Sequence, residues 1–394
     1  MNRRYIILTI LIALLAASCT KPYTPKAITS VNNYLVVEGV INTGAGDTTT
    51  INLSRTVNLS SGVSSTPETG AVISIQDNQN QSYNLTDVGN GVYRSAALTL
   101  DNTRQYRLSI HTSDGKTFLS DYQTTVVTPA IDSVGFMIKS NGMQTYVNTH
   151  DPANHTHYYR WDYIETWTFH SEYYSAWQSN GTAIVVRPTD SLVYQCWANN
   201  LSDQVLLSSS AKLTQDVIYQ FPLTFVASTS EKIESRYSLL VKQYGMTEDA
   251  YNYYSELKQN TEELGSIFDA QPTDLTGNVH CTTDATLPVI GYITAGTIQQ
   301  KRIYINNNQL PYTWVTAYPY TCVQDTALYS NAKTGANDVE DILVPLPNNN
   351  IPTLAIYDSH SPNTSIPIGF YYSGIGCVDC SIRGTTTQPS FWIP

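Results

Sequence analysis

Near its end the chain carries Cys377-Val378-Asp379-Cys380, and a Cys-x-x-Cys pair admits three chemistries. It can be a thioredoxin-like redox centre, half of a zinc site, or two structural half-cystines. Three other cysteines, Cys196, Cys281 and Cys322, stand singly in the same half of the chain. A redox pair wants its first thiol at a helix N-terminus within a βαβ unit; here the strand-like "FYYSGIG" precedes it and a Gly/Thr/Pro-rich tail follows. A four-thiolate zinc site needs a second close pair, which is missing. His155 and His157, near His150 and Asp151, would project to one face of a strand and could share a metal, but isolated His pairs are usually ordinary strand-end residues. Asn337, Asp338, Glu340 and Asp341 form an oxygen-rich group of the kind that holds Ca²⁺, without the glycine spacing of an EF-hand; a solvated acidic loop is the expectation. Gly-x-Ser-x-Gly, His-Glu-x-x-His and Walker patterns are all absent. The sequence therefore predicts no enzyme, no resident metal and no cofactor.

The most unusual internal stretch is "NHTHYYRWDYIETWTFHSEYYSAW". Tyr159, Trp161, Tyr163, Trp167 and Phe169 share one parity, so a single strand shows all five on one face. The other face carries Tyr158, Arg160, Asp162, Ile164, Thr166 and Thr168. A core strip is the commoner use of such a face. The functional alternative is an aromatic platform for a peptide or glycan, formed by Tyr159, Trp161, Tyr163, Trp167 and Trp177.

What decides the cysteine chemistry is the compartment. "MNRRYIILTILIALLAASC" has a basic start, an apolar run of about a dozen residues and small residues before Cys19, the layout of an export signal too short to span a bilayer. Ala16-Ala17-Ser18-Cys19 resembles a bacterial lipobox, with the usual Leu one place early at Leu15. The expectation is cleavage of residues 1–18, lipid on Cys19, and a tether over 19–32 containing two prolines. In an oxidising compartment bridges are favoured over the other two chemistries. Five cysteines beyond Cys19 allow two bridges and one free thiol, and Cys322 is expected to bond either Cys377 or Cys380. Removing residues 1–18 leaves 376 residues at a formal charge of −13, from −11 overall, with no basic run, which speaks against nucleic acid as a partner.

Only 13% of residues are charged, while Tyr occurs 29 times beside many Thr and Val, a composition suited to pleated, half-buried surfaces. The chain reads as mainly β. Seven short strand patterns between 34 and 127, with turns at Asn90-Gly91 and Asp114-Gly115, predict an immunoglobulin-like β-sandwich over 33–128. A larger, mixed, mostly antiparallel β region is expected over 131–394, with one main helix near 247–264 and a Cys-rich tail. Thr247 is the expected N-cap, Tyr251, Tyr254, Leu257, Thr261 and Leu264 the packed stripe, and Gly265 the stop. Phe391 and Trp392 are the apolar plug expected beside the tail.

"YLVVEGVI", "YRLSI", "IDSV", "YYRWDY", "VIGYITAG" and "CVDCSIRGTTTQPSFW" together resemble a lipoprotein family of Bacteroidota known as domain of unknown function 4249. The resemblance implies an outer-membrane lipoprotein, often encoded beside TonB-dependent β-barrel receptors, and so an accessory or substrate-binding partner of such a transporter. It implies no activity, and it leaves periplasmic and surface-facing attachment both open. The rival expectation is a structural or adhesive surface module binding glycans or envelope components. Asp47-Thr48-Thr49, Asp132-Ser133-Val134, Asp190-Ser191-Leu192 and Asp325-Thr326-Ala327 also resemble acceptors of Bacteroidota O-glycosylation.

Overall fold

The structure is a computed structural model and describes residues 33–57, 65–262, 275–358 and 366–393. The expected signal 1–18, Cys19, the tether 19–32, Leu264 and Gly265 lie outside the described residues. In chain order the first strands are β1 (Leu35–Asn42), β2 (Thr50–Arg55), β3 (Thr66–Pro67), β4 (Val72–Asp77), β5 (Ser82–Gly89), β6 (Val92–Ser95), β7 (Gln105–His111), β8 (Thr117–Ser120) and β9 (Gln123–Val126). Next come β10 (Ile131–Lys139), β11 (Gly142–His150), β12 (Tyr158–His170), β13 (Trp177–Ser179), β14 (Ile184–Val186), β15 (Gln195–Leu201), β16 (Leu206–Ser209), β17 (Val217–Ala227) and β18 (Arg236–Met246). Helix α1 (Glu248–Glu262) follows, then β19 (Val279–Cys281), β20 (Val289–Ile290), β21 (Thr294–Gly296), β22 (Ile298–Asn306), β23 (Asp325–Leu328), β24 (Asn350–Tyr357), β25 (Pro367–Gly374) and the one-turn α2 (Ile375–Val378). The chain is mainly β, as its composition predicts.

The N-terminal strands do not stay in two separate layers. Pairing runs β7-β4-β5-β6-β2-β1-β21-β9 and returns to β7, closing an eight-strand ring. The closing strand β21 begins 168 residues after β9 ends (Val126 to Thr294) and pairs in parallel with both β1 and β9. The neighbouring segments β19 and β20 add to β8 and β1. Closure removes open sheet edges, and the interior is one apolar cluster, aliphatic side chains with Tyr93, Tyr106 and Phe118, to which Val279, Val289, Ile293 and Ala295 contribute. The β5–β6 hairpin turns on Asn90 and Gly91, both at positive φ, as their dipeptide predicts.

The second unit is a two-layer sandwich. A three-stranded sheet β10-β11-β17 faces a five-stranded sheet β15-β12-β18-β22, with β16 alongside β12. The parity rule for β12 holds: Tyr159, Trp161, Tyr163, Trp167 and Phe169 all point inward and are buried. Buried Trp161 donates its indole N–H to Gln243 (2.9 Å), and Gln243 in turn donates to the Pro129 carbonyl and the Thr149 hydroxyl, whereas the buried indole Nε1 of Trp167 has no partner. The third unit packs the β13–β14 hairpin and the sheet β23-β25-β24 around Phe370, Leu343 and Val339.

Where the first two units meet, the Thr128 hydroxyl accepts from the Gly245 N–H and donates to the Thr297 carbonyl, while the Thr128 N–H donates to the Thr297 hydroxyl. Thus both chain crossings, at 128 and 297, are latched to each other and to β18. Helix α1 sits on this junction. Thr247 caps it, its Oγ1 accepting from the Ala250 amide at 3.4 Å. The buried helix residues are Ala250 and Tyr253 rather than the expected Tyr251/Tyr254 stripe. The reason is that the helix is gripped from two sides: Tyr253 packs on Tyr292, while half-buried Tyr251 and Tyr254 lean on Tyr158 and Arg160 of β12.

Candidate functional site

The sequence-predicted residues fall in different places. Of the aromatic platform, Tyr159, Trp161, Tyr163 and Trp167 are at most 8% exposed and form the sandwich core, so that face has no open surface. Trp177 belongs to another unit, edge-on to Phe370 at 5.1 Å. His155 and His157 lie in the loop before β12, where Asp151 accepts the amides of Ala153, His155 and Thr156. Burial of Asp151 opposes its charge, yet those amides hold its carboxyl below the ordinary value. His150 pairs instead with Asp132 at 2.8 Å, and that hydrogen bond raises its pKa. Among the described residues no three His, Cys, Asp or Glu side chains cluster as a metal would need. In the 337–341 group, Asn331 donates to Asp338 and Asn337 donates to Glu340, so the acids close their own loop. Of the Asp-Ser/Thr sequences, Thr48 and Thr326 are exposed, whereas Ser133 and Ser191 are half-buried.

Among the described residues, two disulfides join Cys196 to Cys380 and Cys322 to Cys377, leaving Cys281 free and buried. Cys322 does bond a member of the Cys-x-x-Cys pair, and the other member reaches back to β15. Trp392 packs edge-on against Tyr304 of β22, and Phe391 lies over Arg302 at 3.6 Å. Cys196–Cys380 fastens the C-terminal unit to the sandwich, and Cys322–Cys377 closes a loop within that unit.

What sequence reasoning missed is a polar cleft of about 640 Å³ between the closed sheet and the outer face of the sandwich. Its volume falls in the range of small-molecule sites. One wall comes from β1, β2 and their connection, with the carboxylates of Glu38 and Asp47 beside Asn42, Thr50 and Asn52. The facing floor is the polar parity of β12 continued across β18 and β22. Register sets Asp162, Lys242 and Gln300 in one row and Arg160, Tyr244 and Ile298 in the next.

Arg160 is the most constrained group of the floor. Its guanidinium lies 4.5 Å from the Tyr244 ring centroid and 4.6 Å from that of Tyr254, clamped between a strand and the helix. Its Nη2 is 3.5 Å from Asp162, and its buried Nε has no hydrogen-bond partner. Burial opposes the charge, but Tyr254, Asp162 and Tyr244 outweigh it and hold the proton more firmly than usual. Lys242, directly opposite Asp162, is half-buried and makes no ion pair or hydrogen bond among the described residues. An unpaired ammonium and an under-satisfied guanidinium, offset by one carboxylate at Asp162, face two carboxylates across the cleft, so the floor is net positive and the wall negative. The signal was present in the sequence as the Arg160-x-Asp162 alternation on an otherwise aromatic strand.

Fold and site thus define a multi-unit β protein with a polar inter-unit cleft. Over residues 20–302 the chain matches the family described as "Domain of unknown function (DUF4249)", and it belongs to that family. Every cleft residue lies within this span, whereas β23–β25 and the Cys322–Cys377 bridge lie beyond it. No curated protein matches the chain. Among solved structures, a DUF4785 family protein from Legionella pneumophila is similar at 13% identity and TM-score 0.19, with 53% of this chain and 52% of that one covered. The chain thus spans about half of that structure's length. The adhesin InvE of Yersinia pseudotuberculosis aligns at 9% identity and TM-score 0.15, covering 86% and 73%. Likeness this weak carries no argument about function.

Proposed function

We propose that this protein is a non-enzymatic binding protein of the cell envelope, held to the outer membrane by lipid on Cys19, that acts as an accessory or substrate-binding partner of a TonB-dependent β-barrel transporter. The observation that carries the binding role is the cleft, a preformed, charge-lined site between two latched units, with Lys242 unpaired inside it. Support for the anchor comes from the lipobox-like start, and support for the transporter role from the family resemblance. A short lipid tether suits such a task because it keeps the cleft within reach of a membrane partner while leaving it free to turn.

The test is mild-detergent extraction of the tagged, native protein from its own membranes, followed by mass spectrometry. A β-barrel recovered at one-to-one stoichiometry is the expected result. Retention of envelope glycan with no barrel would overturn the transporter reading and favour the adhesive one. Cys19→Ala should move the protein from the membrane to the soluble fraction; unchanged membrane retention would contradict the lipid anchor.

A further inference from the structure

We infer that the cleft takes a short peptide with free termini, its carboxylate on the Arg160/Lys242 floor and its ammonium on the Glu38/Asp47 wall. The inference rests on the reading of the cleft as a ligand site and specifies what fills it.

Four observations carry it. First, the charge is unevenly divided: the floor on β12 and β18 carries Arg160 and Lys242 against the single carboxylate of Asp162, a net positive charge, while β1 and the β1–β2 connection present only the carboxylates of Glu38 and Asp47. A ligand with separated opposite charges satisfies both walls, while a singly charged one meets repulsion at one of them. Second, the cationic side is short of partners. Arg160 meets Asp162 at 3.5 Å and the Tyr244 side chain, with its Nε unbonded, and half-buried Lys242 makes no ion pair or hydrogen bond among the described residues. A carboxylate there gains charge-assisted hydrogen bonds that water supplies less well. Third, Arg160 is held by two rings, so little side-chain freedom remains to be lost on binding. Fourth, the rings at the site are already in use. Tyr244 and Tyr254 face the guanidinium, and Tyr163 belongs to the sandwich core. That leaves no open aromatic face for stacking a sugar, whereas a peptide needs none. An extended tripeptide spans about 10 Å, a reach suited to a site of this size class.

The experiment is calorimetric titration of the purified full chain in detergent with trialanine, with N-acetyl-trialanine amide, and with digalacturonic acid. Saturable one-to-one binding of trialanine is expected, with the doubly blocked peptide at least tenfold weaker. Lys242→Gln should weaken trialanine binding about tenfold, and Glu38→Gln several-fold, with each variant melting at the wild-type temperature. Binding of digalacturonic acid with none of trialanine would overturn the peptide assignment while leaving the cleft a ligand site. Absence of any saturable binding, equal affinity for the blocked peptide, or full affinity in Lys242→Gln would also overturn it. Failure to recover a barrel from membranes bears on the transporter role alone, so the two readings fail separately.

Discussion

The closed N-terminal sheet gathers twenty buried apolar side chains into one cluster and uses no disulfide, whereas the C-terminal unit gathers five and is bracketed by both bridges. Burial stabilises by roughly 25 cal/mol per Å² of apolar surface, so the first unit can rest on its core once the ring is shut. The second cannot, and it is fastened from outside. Cys196–Cys380 ties it to β15, and Cys322–Cys377 ties its entry to its exit. Long-range chain topology does for one unit what covalent chemistry does for the other. No bridge cysteine lines the cleft, which lies between the closed sheet and the sandwich, whereas the closing strand β21 pairs with its wall residues Val40 and Asn42.

The largest expected effect breaks the stapled side. The bridges close loops of 184 and 55 residues, and chain entropy alone assigns them about 5 and 4 kcal/mol. Cys196→Ser with Cys380→Ser, or reduction, should therefore expose 310–393 to protease while the closed sheet stays intact. Simultaneous clipping in both units would deny the difference. The matching break on the other side is Gly291→Ala. Gly291 sits at φ +140°, and a Cβ there would stand 2.1 Å from the Val37 carbonyl oxygen. The return segment would be pushed off β1, at a cost of about 3 kcal/mol. Hydrogen exchange should then rise through β1 and β9 but not through β23–β25; exchange rising equally in both would contradict closure by this segment.

A smaller loss, about 2 kcal/mol, is expected from Trp177→Ala, which removes a half-buried ring from Phe370. It should appear as faster local proteolysis of the third unit with the main melting transition unchanged. A drop in that transition would mean the units are more tightly coupled than described. The smallest effect concerns acid. Burial of Asp77 opposes its charge, but the amides of Gln81 and Gln79 and the guanidinium of Arg104 hold its carboxyl below the ordinary 3.8. Asp114, bonded by Lys116 and Thr112, is lowered to about 2. Depressed carboxyl pKa values contribute stability that is present above the unfolded value and lost as pH falls through the folded one. The closed sheet should hence weaken between about pH 4 and 2. A flat thermal midpoint over that window, followed by near-ultraviolet circular dichroism, would contradict it.

Much of this fold was legible. Alternation on β12, the Asn90-Gly91 hairpin and the Thr247 cap all follow from local rules that the structure obeys. That Cys322 would bond one of the Cys-x-x-Cys pair was expected, but which of the two was left open, and the structure gives Cys377. Ring closure was not legible, because β19, β20 and β21 have only two or three residues each, too few to show alternation. Their place is decided by contacts with strands far away in sequence. The Cys196–Cys380 bridge was hidden for the same reason, at a separation of 184. As for the cleft, Arg160 and Asp162 were visible on the second face of β12, but their significance depends on Tyr254 and Glu38, which arrive from other elements. Sequence periodicity tells which side a residue faces and says nothing of what comes to meet it.

Hydrogen–deuterium exchange on the full chain, with and without saturating trialanine, tests most directly that the family-matched cleft and not the stapled C-terminal unit does the binding. Added protection should appear at 38–42, 160–164 and 242–244, with 325–374 unchanged. Protection confined to 325–374 would contradict the account.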